Sequence, residues 1–118
     1  MDFLIQHMLR TSAQRYPDKE ALVDRDERLT FESVNRKVSA LAGGLQKAGI
    51  RRGDRVGVYL DMSVAQVLAI FGASRAGAAF VPINSLLFPE QVAHIAKDCQ
   101  MKALITSRDK LSVLAPVC

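Results

Sequence analysis

Apolar and polar residues alternate with helical and strand-like periods along the first thirty positions. Residues 2–15 carry apolar side chains three and four apart and are followed by Pro17, which predicts a first helix. Residues 20–24 and 28–31 are strand-like and flank a polar turn at 24–27. This pattern predicts a short N-terminal hairpin.

A second helix is predicted after Thr30, whose hydroxyl can cap the first turn, with Glu32 near the positive end of the helix dipole. Gly49 is expected to end this helix in the left-handed conformation. Gly43 and Gly44 destabilise a helix interior, so we expect them to allow close approach of another backbone. The apolar positions form one stripe: Val34, Val38, Leu41, Ala42 and Leu45.

From residue 55 onward, strand and helix patterns alternate. Strands are predicted at 55–60, 78–83 and 103–106, with helices between them and a short one after the last. Such alternation is typical of parallel strands joined by right-handed helical crossovers. The nearly continuous apolar strand 78–83 predicts a sheet covered on both faces. The fold class expected is α/β, a mostly parallel sheet with flanking helices.

Composition limits the possible functions. The chain has 118 residues, 49% of them apolar, which suits one domain or part of one. The chain has 16 basic and 12 acidic residues, a formal net charge of +4. The basic residues are scattered along the sequence rather than clustered with aromatic residues. We therefore expect no nucleic-acid partner.

The cysteines and the apolar stretches indicate a compartment. Cys99 and Cys118 have no metal-ligand or disulfide-framework spacing, and Cys99 is expected to be a buried reduced thiol on a helix. This favours a reducing, cytoplasmic setting. The N-terminus has no signal-peptide pattern. The uncharged stretches 62–74 and 76–89 are too short to span a membrane.

Two histidines are candidate catalytic or metal-binding groups. His94 and Asp98 lie one helical turn apart and could form a base and its orienting acid, but an exposed ion pair is the expected role. His7 has no partner in the pattern, and no cluster has metal-site spacing.

Loops near predicted strands are candidate phosphate or ligand sites. The glycine-bearing stretch 72–77 follows a helix and precedes a strand, the reverse of a phosphate-binding loop. The loop 61–63 has the right order but no glycine, and an acid stands where phosphate would bind. Ser63, Ser85 and Ser107 follow predicted strands, where open α/β sheets bind ligands, and helix capping is the expected role of each.

Five segments together resemble the N-terminal part of the adenylate-forming superfamily, which includes acyl-CoA synthetases, peptide-synthetase adenylation domains and luciferases. The segments are RYPDKEALV (15–23), LTFESV (29–34), LAGGLQKAGIRRGDRVGVYL (41–60), SRAGAAFVPIN (74–84) and PEQVAHIAKDCQMKALIT (89–106). The second and fourth resemble the family's first two core motifs. Asn84 is similar to the acyl-CoA ligase pattern, and the chain resembles the AMP-forming ligases associated with bacterial exosortase systems.

The resemblance implies a parent enzyme that uses ATP and Mg²⁺ to convert a carboxylic acid to an acyl-adenylate and then transfers the acyl group to coenzyme A. The family's phosphate loop, ribose-holding acid and catalytic lysine have no match in this chain. No catalytic, cofactor-binding or metal-binding residue is therefore carried over. Residues 1–118 are expected to be an incomplete, inactive N-terminal portion of the large domain, with helix, hairpin and helix in 1–50 and alternating units in 51–118.

Two alternatives remain open. One is a complete small α/β binding or assembly module, although Asp61 is the only acid at the end of a firmly predicted strand. The other is an inactive paralogue that uses this half-domain for pairing. The apolar C-terminal segment LSVLAPVC favours a chain that continues as part of a larger domain. In that case strand 78–83 and the last helix would expose apolar surface.

Overall fold

A computed structural model describes residues 5–24 and 27–117 of the chain. Helices and strands within these residues follow one another in the predicted order. Their bounds are α1 (Ile5–Arg15), β1 (Glu20–Asp24), β2 (Glu27–Thr30), α2 (Phe31–Lys47), β3 (Arg55–Tyr59), α3 (Val64–Arg75), β4 (Ala79–Pro82), α4 (Pro89–Asp98), β5 (Ala103–Thr106) and α5 (Arg108–Leu114).

The N-terminal hairpin is confirmed. β1 and β2 pair antiparallel, with Asp24 opposite Glu27. The second strand begins and ends one residue earlier than predicted, because Phe31 is already the first residue of α2. Residues 25 and 26 of the predicted turn, and residues 2–4 of the predicted first helix, lie outside the described residues.

Capping defines both ends of α2 as predicted. The hydroxyl of Thr30 accepts a hydrogen bond of 3.1 Å from the amide of Ser33, which satisfies one of the free donors of the first turn. Gly49 follows the C-cap residue Ala48 with φ 100°, a left-handed conformation that a side chain would disfavour.

The three later strands form a parallel sheet in the order β4-β3-β5. Val56 of β3 lies opposite Phe80 of β4 and Ala103 of β5. The parallel arrangement predicted from the alternating pattern is confirmed. β3 is central and is buried from Val56 to Tyr59.

Helices cover the sheet on both faces. Val56 and Val58 point to the face that α3 covers, where Ala69 and Ala73 pack against them and α2 backs α3. The opposite face is covered by α4 and α5. Its core consists of Tyr59, Ile83, Val92 and Leu114, with Leu87, Met101 and Leu104 packed around them. Helix α3 therefore lies between the sheet and α2.

The prediction that the 78–83 strand is covered on both faces is only partly correct. Ala79 and Pro82 are exposed, because β4 is an edge strand with a neighbour on one side. β5 is also an edge strand, and each of its four residues is half-buried.

The prediction for Gly43 and Gly44 is wrong. A Cβ atom added at either position would meet nothing within 4 Å, so neither glycine allows a close approach. The close contact between α2 and α3 is made by Gly72. A Cβ there would lie 2.5 Å from Leu41 Cδ2 and 2.8 Å from Leu41 Cγ, closer than atoms can pack.

Candidate functional site

The loops that follow the three parallel strands meet at the carboxyl-terminal end of the sheet, around Lys110. Its ammonium nitrogen lies 3.4 Å from Asp61 Oδ1 and donates a 3.4 Å hydrogen bond to the carbonyl of Ser85. The same nitrogen lies 4.6 Å from the ring centroid of Tyr59. We call Tyr59, Asp61, Ser85 and Lys110 the carboxyl-end cluster. It is the strongest candidate site, because ligands of open α/β sheets bind at this end.

The carboxyl-end cluster is held by further hydrogen bonds. The Tyr59 hydroxyl donates a 2.7 Å bond to the carbonyl of Leu87, and the Thr106 hydroxyl donates a 2.8 Å bond to the carbonyl of Tyr59. The Lys110 side chain is only 18% exposed, whereas that of Asp61 is 78% exposed. Lys110 thus joins the loops after β3 and β4 to the first turn of α5.

Two of the three strand-end serines cap helices as predicted. Ser63 Oγ accepts from the amide of Gln66 at 3.2 Å, and Ser107 Oγ accepts from the amide of Lys110 at the same distance. The capping role predicted for Ser85 is wrong. The N-cap residue of α4 is Phe88, which is followed by Pro89.

The carboxyl-end cluster does not fit the phosphates of ATP. A phosphate site after β3 needs free backbone amides at a helix N-terminus, and there the Ser63 hydroxyl already accepts from the first turn of α3. The exposed carboxylate of Asp61 would repel an anion at this point. Lys110 is already engaged by three groups. At the carboxyl-end cluster, the cation and the Gln66 amide that a phosphate would use are therefore already engaged.

His94 and Asp98 form an exposed contact one helical turn apart, as expected. His94 Nε2 lies 3.1 Å from Asp98 Oδ2 one turn along α4, and both side chains are exposed. Neither residue belongs to the carboxyl-end cluster. The side chain of His7 lies outside the described part of the chain. Within that part, no three His, Cys, Asp or Glu residues are grouped for metal binding.

The stretch RAGAAFVPIN (75–84) joins α3 to β4 and has a structural role. Arg75 donates 3.0 Å and 2.7 Å hydrogen bonds to Asn35 O and Ser39 Oγ, which tie the end of α3 to α2. Burial, and to a lesser degree the charge of Arg10, lowers the pKa of Arg75. Gly77, with φ 86°, makes the turn into β4.

An open cleft lies at the amino-terminal end of β3, away from the carboxyl-end cluster. It measures about 500 Å³ and includes Arg55, whose guanidinium donates a 2.8 Å bond to the carbonyl of Cys99. Cys99 directly follows α4 and is half-buried, so the prediction of a buried helical thiol is wrong in both respects. The thiol of Cys99 is free.

Large apolar side chains are exposed around the carboxyl-end cluster. Met62, next to Asp61, is 93% exposed. Leu86 and Phe88, on the loop after β4, are also largely exposed. No helix within the described residues is long and apolar enough to cross a membrane.

Sequence reasoning missed the carboxyl-end cluster. The partners of Lys110 lie 25 to 51 positions earlier in the sequence, so no local motif contains them. The sheet topology could have located the cluster. A lysine in the first turn of the helix after β5 lies near the carboxyl-terminal ends of the neighbouring parallel strands.

A parallel sheet with helices on both faces is an open α/β fold. The sequence profile of the AMP-binding enzyme family matches residues 9–117. The chain therefore belongs to this family of adenylate-forming enzymes, and the resemblance found in the sequence is confirmed.

Known proteins share this segment. The N-terminal domain of FACL13 from Mycobacterium tuberculosis, solved with an inhibitor bound, is 32% identical with a TM-score of 0.89, over 96% of this chain and 29% of that chain. The anthranilate CoA ligase AuaEII, solved with anthranoyl-AMP, is 28% identical with a TM-score of 0.92, over 98% and 22% of the two chains. Tyrocidine synthase 1 from Brevibacillus parabrevis is 32% identical over 104 residues, 88% of this chain and 10% of that protein. The chain thus spans a small part of each relative.

Proposed function

We propose that residues 1–118 are an incomplete N-terminal portion of the large domain of an AMP-forming acyl-CoA ligase. The parent enzyme activates a carboxylic acid with ATP and Mg²⁺ to an acyl-adenylate and transfers the acyl group to coenzyme A. The observation that carries the proposal is the fit to the FACL13 N-terminal domain, which covers 96% of this chain but 29% of that one. Residues 1–50 supply helix, hairpin and helix, and residues 51–118 supply the alternating units of the sheet.

The proposed portion is scaffolding and is inactive alone. Phosphoryl chemistry of this kind depends on positioned cations and amide donors around the phosphates. The carboxyl-end cluster uses its cation and its strand-end hydroxyls to hold loops together instead. The groups that bind ATP, Mg²⁺ and coenzyme A are accordingly assigned to the rest of the parent domain, and no residue of 1–118 is assigned a catalytic role.

Coenzyme A as acceptor is supported by Asn84 at the exit of β4 and by the likeness to a CoA ligase at a TM-score of 0.92. The second candidate is the adenylation domain of a peptide synthetase, which the similarity to tyrocidine synthase 1 favours. The two differ in the acceptor thiol, since a peptide synthetase uses a carrier-protein thiol. An enzyme that uses ATP and coenzyme A belongs in the cytoplasm, and the free thiol of Cys99 agrees with that compartment.

The test extends the chain by the coding sequence downstream of Cys118 and purifies the product. We expect acid-dependent exchange of pyrophosphate into ATP with at least one member of a panel of aliphatic, aromatic and amino acids. Coenzyme A should then yield a thioester, which mass spectrometry detects. Thioester formation only on a carrier protein would favour the second candidate. A stop codon directly after Cys118, or an extended protein without exchange on any acid, would contradict the proposal.

A further inference from the structure

Basic side chains that are scattered along the sequence gather at the amino-terminal end of the parallel sheet. Residues 47–55 lead into β3 and include four basic residues and one acid, and residues 97–102 lead into β5 and include two basic residues and one acid. The two segments lie side by side, because β3 and β5 are paired. Together they carry a formal charge of +4, as much as the whole chain. The six cations are all exposed: Lys47, Arg51, Arg52, Arg55, Lys97 and Lys102.

These six cations are not paired with the acids beside them. Asp54 accepts a 2.8 Å hydrogen bond from the backbone amide of Arg51, and Asp98 contacts His94. Among the described residues, none of the six basic side chains forms an ion pair, whereas Lys110 at the other end of the sheet pairs with an acid. Unpaired cations gathered at one end of a protein attract anions to that end.

Two of the cations line the open cleft of about 500 Å³. Arg55 and Lys102 lie on neighbouring strand starts, which a 2.8 Å hydrogen bond from the amide of Lys102 to the carbonyl of Arg55 joins. The guanidinium of Arg55 is oriented by the 2.8 Å bond from its Nη1 to the carbonyl of Cys99. That bond satisfies a carbonyl at the negative end of the α4 dipole, which would otherwise oppose an anion.

The chemistry of the cleft favours a phosphate group. The backbone amides of Gly53, Gln100 and Lys102 already donate to carbonyls, so the charged side chains must recognise the ligand. A guanidinium presents parallel donors that match two phosphate oxygens, and an ammonium group adds a compact charge. A phosphate monoester carries nearly two negative charges at neutral pH, which two cations balance.

We infer that the cleft between Arg55 and Lys102 binds a phosphate monoester group, carried by a soluble molecule or by a lipid headgroup. Arg55 donates to the phosphate through the nitrogens that do not bind Cys99, and Lys102 supplies the second positive charge. The other cations of this end raise the local concentration of the anion. The cleft lies away from the carboxyl-end cluster, so the inference does not depend on the proposed function.

The test follows the backbone amide resonances of the ¹⁵N-labelled 118-residue chain while inorganic phosphate is added at constant ionic strength. The amides of Arg55, Gln100 and Lys102 should shift and reach saturation. Arg55→Gln and Lys102→Met should each weaken binding about tenfold, because each removes a charged donor. Lys102→Arg keeps the charge and should retain binding within about threefold.

Lys47→Met is the matched control. It removes the same charge from the same end of the sheet, but Lys47 does not line the cleft. Phosphate binding should therefore change by about twofold or less, since separated surface charges are screened by salt. A loss as large as that of Lys102→Met would show that phosphate responds only to the general charge of this end, and would overturn the inference.

Two further probes distinguish the sources of the phosphate group. Binding of glycerol phosphate without binding to phosphatidylcholine vesicles that contain phosphatidic acid would support the inference and assign a soluble ligand. Sedimentation with these vesicles, lost in Lys102→Met, would support the inference and assign a lipid headgroup.

Two results would overturn the inference outright. One is the absence of a saturable shift at the cleft amides up to about 50 mM phosphate, which is weaker than any useful affinity. The other is binding of polyglutamate that phosphate does not displace, which would assign this end to an acidic protein. If the 118-residue chain gives no dispersed spectrum, the same titrations and variants apply to the extended protein, with the same outcomes.

Discussion

The two faces of the parallel sheet are covered to different degrees. On one face α3 packs against Val56 and Val58, and α2 packs over α3. On the other face α4 and α5 form a single layer, and α5 leaves Leu111 and Val113 exposed. The first face lies beneath two layers of helix, whereas the second lies beneath one layer whose outer surface is partly apolar.

The largest expected effect concerns the core of the thinner face. Leu114 is 1% exposed, and truncation of a buried leucine leaves a cavity. Leu114→Ala should lower the free energy of unfolding by about 2–5 kcal/mol, measured by urea unfolding of the 118-residue chain followed by circular dichroism. Leu111→Ala in the same helix is the matched control. Leu111 is 54% exposed, so the change should be within about 0.5 kcal/mol. Equal effects of the two variants would mean that α5 does not dock as described.

A smaller effect is expected at the contact between the two helices on the thicker face. Gly72→Ala should destabilise the chain by about 1–3 kcal/mol, because the new Cβ overlaps Leu41. Gly44→Ala has open space and should stabilise α2 by about 0.5–1 kcal/mol through helix propensity.

A double variant tests whether Leu41 is the group that Gly72→Ala overlaps. If Leu41 is the obstacle, the cost of Gly72→Ala should fall in a Leu41→Ala background, where the overlapping atoms are removed. An unchanged cost in that background, measured by the same urea unfolding, would show that α2 and α3 do not meet at Gly72.

The carboxyl-end cluster should contribute about as much as one polar interaction. Lys110→Met retains most of the apolar stem but removes the charge that contacts Asp61, Ser85 and Tyr59. Thermal unfolding should show a loss of about 1 kcal/mol. Asp61→Asn should cost less than about 0.5 kcal/mol, because that carboxylate is exposed. A larger loss for Asp61→Asn than for Lys110→Met would contradict the assignment of Lys110 as the central group.

The smallest effect on the stability of the 118-residue chain is expected on the outside of α5. The same substitutions should have a larger effect in the extended protein. The double variant Leu111→Gln and Val113→Gln should change the stability of the 118-residue chain by about 0.5 kcal/mol or less and raise its solubility, since both side chains are exposed. In the extended protein the same variant should lower the midpoint of thermal unfolding. An unchanged midpoint there would mean that nothing covers this face of α5.

The order of the elements could be predicted from the sequence because each depends on local signals. Thr30 and Gly49 mark the ends of α2, and Pro89 marks the start of α4. The strand predicted at 55–60 is β3, in which Val56 and Val58 face α3 and Tyr59 belongs to the core on the other face.

Contacts between distant segments could not be predicted in the same way. A glycine inside a helix indicates close packing only when the facing helix is known. The sequence therefore pointed to Gly43 and Gly44 as the close contact, whereas in the structure Gly72 makes it. The role of Ser85 was misjudged because the loop after β4 continues to Phe88 before α4 begins. Helix α4 ends at Asp98, and Cys99 is its C-cap residue.

The central claim is that these residues are scaffold and that the reactive groups lie elsewhere in the parent enzyme. The most direct test measures acid-dependent exchange of labelled pyrophosphate into ATP by the purified 118-residue chain, beside the extended protein at equal concentration and with the same acids. We predict exchange by the extended protein and a signal from the 118-residue chain equal to the no-enzyme blank. Exchange by the 118-residue chain alone would contradict the account.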